Sequence, residues 1–156
     1  LDWRTTRLDY QSIPTVAELE KRIATDGGGE PGYKPYNAKW DERRLHALTH
    51  GGLPDHYDYP IQVVRFGSDL TLVALSGETC VDYSLRLKRE FTGPGALWVA
   101  GYNNDVLAYI PSKRVLHEGG YEASRAMIYW ANPLHPSPFA DTLEERIIGK
   151  VREMLK

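Results

Sequence analysis

The sequence predicts an α/β protein with a mixed β-sheet and helices packed against it, as a single domain over 1–156 or a fragment of a larger α/β domain. Three observations carry this. Ile61-Gln62-Val63-Val64-Arg65-Phe66 is a β-branched run closed by the turn signal Gly67-Ser68-Asp69, and Leu70–Leu75 is the second arm of a hairpin. Val81 to Phe91 sets apolar Val81, Leu85 and Leu87 among charged Arg86, Lys88, Arg89 and Glu90, which reads as a half-buried helix. Leu97-Trp98-Val99-Ala100 then opens another strand, giving a strand–helix–strand unit that is right-handed by the usual rule.

Taken in order, residues 1–14, with Trp3, Tyr10 and Pro14, read as an irregular or extended lead-in. Thr15 and Glu18 have capping-box spacing, and Val16, Leu19 and Ile23 form a helical stripe. Gly27-Gly28-Gly29 should end that helix, and Pro31, Gly32 and Pro35 mark a loop. Asn37 is placed to cap a second helix to about His50, which Gly51-Gly52 stops. Residues 1–52 thus form a helical lead-in to a sheet-and-helix core over 60–156, with Tyr57–Pro60 as a turn. Gly93-Pro94-Gly95 breaks the central helix. Val106–Ile110 is a short apolar segment, and Pro111 to His117 is helical with proline at a tolerated early position. Ala126–Trp130 fits a strand or a buried helical end, because periodicity does not separate the two. Three prolines make Asn132–Pro138 a loop. Thr142 should cap the last helix, with Glu145 three residues on and Leu143, Ile147, Ile148, Val151 and Leu155 as its buried stripe.

A chain of 156 residues suffices for one core. Its net charge of −2 gives no electrostatic case for nucleic acid or anionic lipid. No apolar run approaches the length of a transmembrane helix. A lone cysteine, Cys80, excludes an internal disulfide and leaves the redox compartment open. The chain begins at Leu1 and not at methionine, and it reads as a piece of something longer.

Several residues carry chemical possibilities, each beside a plainer role. His46 and His50 are one helical turn apart, a spacing able to hold a metal, yet the glutamate that comes after the first histidine of the zinc-protease motif is Ala47 here. The plainer role is two surface histidines near a helix C-terminus. Glu78 stands directly after Gly77 where a strand ends, a position suited to a zinc ligand or general base, and equally to an acid at the N-terminus of the next helix. Cys80 is either a small buried hydrophobe or a nucleophile with no histidine beside it in sequence. Tyr102, Asn103, Asn104, Asp105, Tyr109 and Tyr121 can line a pocket with hydroxyl and amide groups, or serve as turn formers and packed aromatics.

Two segments together resemble the neutral/alkaline ceramidase family, zinc-dependent amidases. The family has a strand leading into Pro-Gly-Glu-Phe-Thr and a basic helix; this chain has Ser76-Gly77-Glu78-Thr79 and a helix with Arg86, Lys88 and Arg89. A second family segment, glycine- and asparagine-rich and ending in tyrosine, is similar to Gly101-Tyr102-Asn103-Asn104-Asp105-Val106-Leu107-Ala108-Tyr109. A third is similar to Gly120-Tyr121-Glu122-Ala123-Ser124. The likeness covers roughly residues 60 to 130.

The resemblance implies that Glu78 and Tyr109 are zinc ligands and that Tyr121 hydrogen-bonds the scissile amide; Tyr102 and Asn104, from the polar segment beside them, are expected to contact substrate. It implies hydrolysis of an N-acyl amide or lipid by zinc-activated water, in a secreted or periplasmic setting. The chain departs from the family at Val106 and Gly120, where the family has tyrosine and arginine, which puts ceramide itself in doubt as substrate. The family's two zinc-binding histidines have no counterpart, since His46 and His50 do not match them. The chain is therefore expected to hold a zinc half-site, as the C-terminal portion of a catalytic domain completed by parent chain upstream of Leu1, and to be inactive alone. The competing expectation is a noncatalytic α/β domain that binds a partner or glycan, with ten tyrosines and four tryptophans as platforms. The two diverge on whether Glu78 and Tyr109 converge.

Overall fold

Alternation fixes the centre of the sheet. In β2 (His56–Phe66), Tyr59, Ile61 and Val63 are fully buried while Asp58 and Phe66 are exposed. β3 (Leu70–Leu75) repeats the pattern with Val73 and Leu75. Each such side chain contributes about 1.5–3 kcal/mol by leaving water. The computed structural model describes residues 1–25 and 31–156. β1 (Asp2–Asp9) and β2 are antiparallel, as are β2 and β3, and β3 runs parallel to β5 (Ala96–Ala100). Together they make a four-stranded mixed sheet in the order β1-β2-β3-β5. α/β architecture with a mixed sheet is thus what the hairpin and crossover patterns indicated.

The crossover between β3 and β5 is α3 (Val81–Glu90), which buries Tyr83 and Leu87. The last helix, α5 (Leu143–Leu155), buries Leu143, Ile147, Ile148, Val151 and Met154 against β1 and β2. Arg86 joins the two helices, donating to Glu90 at 3.1 Å, Glu144 at 2.6 Å, and Glu145 at 2.6 and 2.8 Å. This draws Glu145 away from the expected capping box: Thr142 holds the N-cap position, but its side chain makes no cap bond. The Thr15–Glu18 box of α1 (Val16–Ala24) does form, reciprocally.

Several expectations need correcting. The lead-in contains a full strand, β1, paired along its length with β2. The Tyr57–Pro60 turn is instead part of β2. Pro60 accepts from the Ser76 hydroxyl on the side facing β3, one residue past the last β2–β3 pair, so its missing N–H interrupts no ladder there. α2 runs Lys34–His50, so Asn37 lies inside it and Pro35 occupies its first turn, where the absent N–H costs nothing. Gly27-Gly28-Gly29 lies outside the described residues. Ala126–Trp130 resolves as a 3-10 helix, Arg125–Tyr129, burying Ala126, Met127 and Ile128. α4 (Lys113–Glu118) is capped by the Ser112 hydroxyl. Among the described residues, no helix is long and apolar enough to cross a membrane.

Candidate functional site

The site grows from the turn at the end of β3. Gly77 turns the chain at φ 68°, and Glu78–Thr79 then forms a short strand, β4, parallel to β6 (Tyr109–Ile110). The register sets Glu78 directly beside Tyr109. Backbone bonds lock this shelf: Gly77 N donates to Asp105 O at 2.7 Å, Glu78 N to Ala108 O at 2.9 Å, and Tyr102 N to Gly77 O at 2.8 Å. The segment after β5 is therefore wrapped around the end of β3, which brings residues 102–109 to Glu78.

Three side chains hold that wrapped segment from behind. Tyr57 donates its hydroxyl to Asp105. Tyr83 of α3 donates to Pro111 O at 2.9 Å. His135, fully buried in the Asn132–Pro138 loop, contacts Leu107 O through Nε2 at 2.8 Å and Tyr10 Oη through Nδ1 at 3.0 Å. A carbonyl only accepts, so Nε2 carries the proton and Nδ1 accepts from Tyr10. Burial pushes the His135 pKa below its usual 6.5, so the ring is held neutral. The unfolded state takes up a proton as pH falls past about 6.5, whereas the folded state resists until a lower pH. His135 therefore contributes stability that is complete above that value and lost on acidification. Urea midpoints should fall between pH 7.5 and 5, by more in the parent than in His135→Gln; equal slopes would refute the assignment.

The pocket in front of the shelf has a volume of about 370 Å³ and is lined by Glu78, Tyr102, Val106, Ala108, Tyr109, Tyr121, Ala126, Tyr129 and Trp130. Tyr109 and Tyr102 both lie against Glu78, and in each case the neighbouring carboxylate, ahead of burial, raises the phenol pKa. Glu78 thus faces two phenols across the pocket. Among the described residues that line the pocket, none is a lysine, arginine or histidine to neutralise it. Tyr121 meets Tyr109 edge-on at 5.6 Å, Tyr129 lies 6.5 Å from Tyr121, and Tyr36 of α2 meets Tyr129 at 5.1 Å, continuing the aromatic wall outward.

Of the five residues expected to hold zinc or contact substrate, Glu78, Tyr102, Tyr109 and Tyr121 line this one pocket. Asn104 is exposed, sits outside the lining, and occupies a left-handed backbone position (φ 62°) that asparagine tolerates well. His46 and His50 stack 4.2 Å apart on α2, and His46 borders a separate depression with Glu42 and Arg43. Among the described residues, no group of three or more His, Cys, Asp and Glu is placed to hold a metal. Cys80 sits at the N-cap of α3, its thiol pKa raised by burial, which is the opposite of an activated nucleophile. Tyr129 and Trp130 are wall residues that the sequence did not single out, since their segment showed no decisive period.

Comparison of this chain with family models, with curated proteins and with solved structures returned no match to any of them.

Proposed function

We propose that this chain is the C-terminal part of a zinc-dependent amidase catalytic domain resembling the neutral ceramidases, acting on an N-acyl amide and inactive alone. The observation that carries this reading is the convergence of Glu78, Tyr109, Tyr102 and Tyr121 on one aromatic pocket from three separate stretches of sequence. The donor chemistry fits zinc in part: a carboxylate and a phenol oxygen are both ligands for such an ion, and the carboxylate has no cation among the described lining residues. Two further ligands would have to come from parent chain upstream of Leu1. When bound, zinc supplies Lewis-acid polarisation of the carbonyl and a lowered pKa for its water.

The chain's own residues have distinct tasks in this reading. Tyr102 fixes the orientation of the Glu78 carboxylate. Tyr109 would hold the ion through its phenol oxygen, its proton passing to solvent. Tyr121 presents its hydroxyl to the amide oxygen, where a preplaced donor favours developing negative charge. Val106, Ala108 and Ala126 leave an apolar wall for the acyl side of the substrate.

Calorimetric titration with zinc chloride tests it. The parent chain should bind zinc weakly, and Glu78→Gln and Tyr109→Phe should each weaken binding about tenfold or more. Binding that both variants keep, or that His46→Ala abolishes, would overturn the assignment, as would no zinc response at all.

The exposed aromatic wall of Tyr36, Tyr121 and Tyr129 also favours a second reading, a noncatalytic domain stacking a sugar or partner segment. Oligosaccharide binding that is lost in Tyr129→Ala and indifferent to Glu78→Gln would select it.

A further inference from the structure

The two helices that pack on the sheet lie on one face. Arg65, which shares its face of β2 with Tyr59, Ile61 and Val63, donates to Met154 O of α5 at 2.7 Å. α3 is tied to that same side through Arg86 and α5. The register defines the opposite face. Trp3, Gln62, Ala74 and Ala100 form one row across all four strands, with Val64, Leu72 and Trp98 in the next row and Phe66 beyond. Gln62 is the polar member of those rows. Trp3, Phe66 and Trp98 remain 53%, 54% and 57% exposed. Antiparallel pairs let a sheet face water on one side when that side is polar, but here the side left without a helix among the described residues is apolar in these rows.

We propose that this face packs against the same face of a second copy of the chain, sheet on sheet, about a two-fold axis parallel to the strands. Such an axis carries β1 of one copy over β5 of the other and keeps each row at its own height. Trp3 of one copy then comes over Ala100 of its partner, large on small, at both symmetry-related ends. Area is sufficient. Three half-exposed aromatic side chains and the half-buried aliphatics around them leave roughly 500–600 Å² per copy. Doubled, this meets the threshold of about 1,000 Å² for a specific interface. The chemistry argues against a lipid surface, because the charged row of the face sets Arg7 opposite Asp58 and presents no cationic patch. The proposal is independent of the amidase reading and needs no zinc.

Sedimentation velocity of the chain, from low to several hundred micromolar, tests it alongside Trp98→Arg and Trp3→Arg, each checked for parental circular dichroism. The expected result is a closed dimer that either substitution weakens by about thirtyfold or more, as for a central aromatic anchor. If one variant fails to fold, the other carries the test. A monomer throughout would overturn the proposal and leave the face to the rest of the parent chain or to another polypeptide. Open-ended growth with concentration, or a dimer that both variants leave intact, would also overturn it.

Discussion

Gly77→Ala should destabilise the protein by about 2–5 kcal/mol and dismantle the pocket with it. Two costs add. A left-handed backbone at φ 68° costs a non-glycine residue about 1–2 kcal/mol. A Cβ at this position would also meet Ala108 O at 2.8 Å and Ile110 Cγ1 at 2.9 Å, and overpacking of that kind costs about 1–3 kcal/mol. The clash falls on the shelf itself, since Ala108 O accepts from Glu78 N and Ile110 O from Cys80 N. Relief would part β4 from β6 and move Tyr109 away from Glu78.

Gly67, in the exposed turn between β2 and β3, provides the control, because it has a similar φ of 60° with nothing within 4 Å of a built Cβ. Gly67→Ala should show the backbone cost alone. Urea unfolding of both variants separates strain from clash. A Gly77→Ala loss no larger than that of Gly67→Ala would mean the shelf yields freely, and the account of the site's rigidity would fail.

This glycine also shows why much of the site was legible before the fold. A strand that ends in glycine and then a carboxylate must turn the carboxylate out of the sheet, so Glu78 announces itself locally. Its meeting with Tyr109 depends on a parallel pairing across thirty-one positions of sequence, which no periodicity encodes; only the family likeness pointed there. Trp130 and Tyr129 stayed hidden because five residues of 3-10 helix are too short to show a period. β1 was read no further than extended because Arg4, Thr5 and Arg7 interrupt it; as an edge strand it tolerates polar residues that a central strand would not. Pro60 misled in the opposite direction, as a turn signal inside β2 at a point where the β2–β3 ladder had already ended.

The largest cost of a polar deletion should come from a pair whose spacing says nothing of its burial. Asp41 and Arg44, three apart on α2, look like a surface ion pair in sequence. They are 0% and 5% exposed. Arg44 donates to Asp41 and, through Nη1, to Pro136 O at 2.5 Å, and its guanidinium lies 3.6 Å over the Trp40 ring. Arg22 of α1 donates to the other Asp41 oxygen at 2.8 Å. The Asp41–Arg44 pair therefore joins α1, α2 and the His135 loop. Burial disfavours the charged form of Arg44, and the bond to Asp41 offsets it. Asp41→Ala leaves that guanidinium buried without its counter-charge, and about 3–5 kcal/mol should be lost. At roughly 2–4 °C per kcal/mol for a domain of this size, the melting temperature should fall by about 6–20 °C. The double variant Asp41→Leu/Arg44→Met removes both charges and keeps the volume, and it should recover most of that loss, since apolar replacement of a buried pair is often neutral. A single-variant loss under about 1 kcal/mol would place the pair in the screened regime of surface bridges. A double variant no better than the single would show that Arg44 acts through Pro136 and Trp40 and not through its charge, leaving the His135 loop, and not the ion pair, as what α2 stabilises.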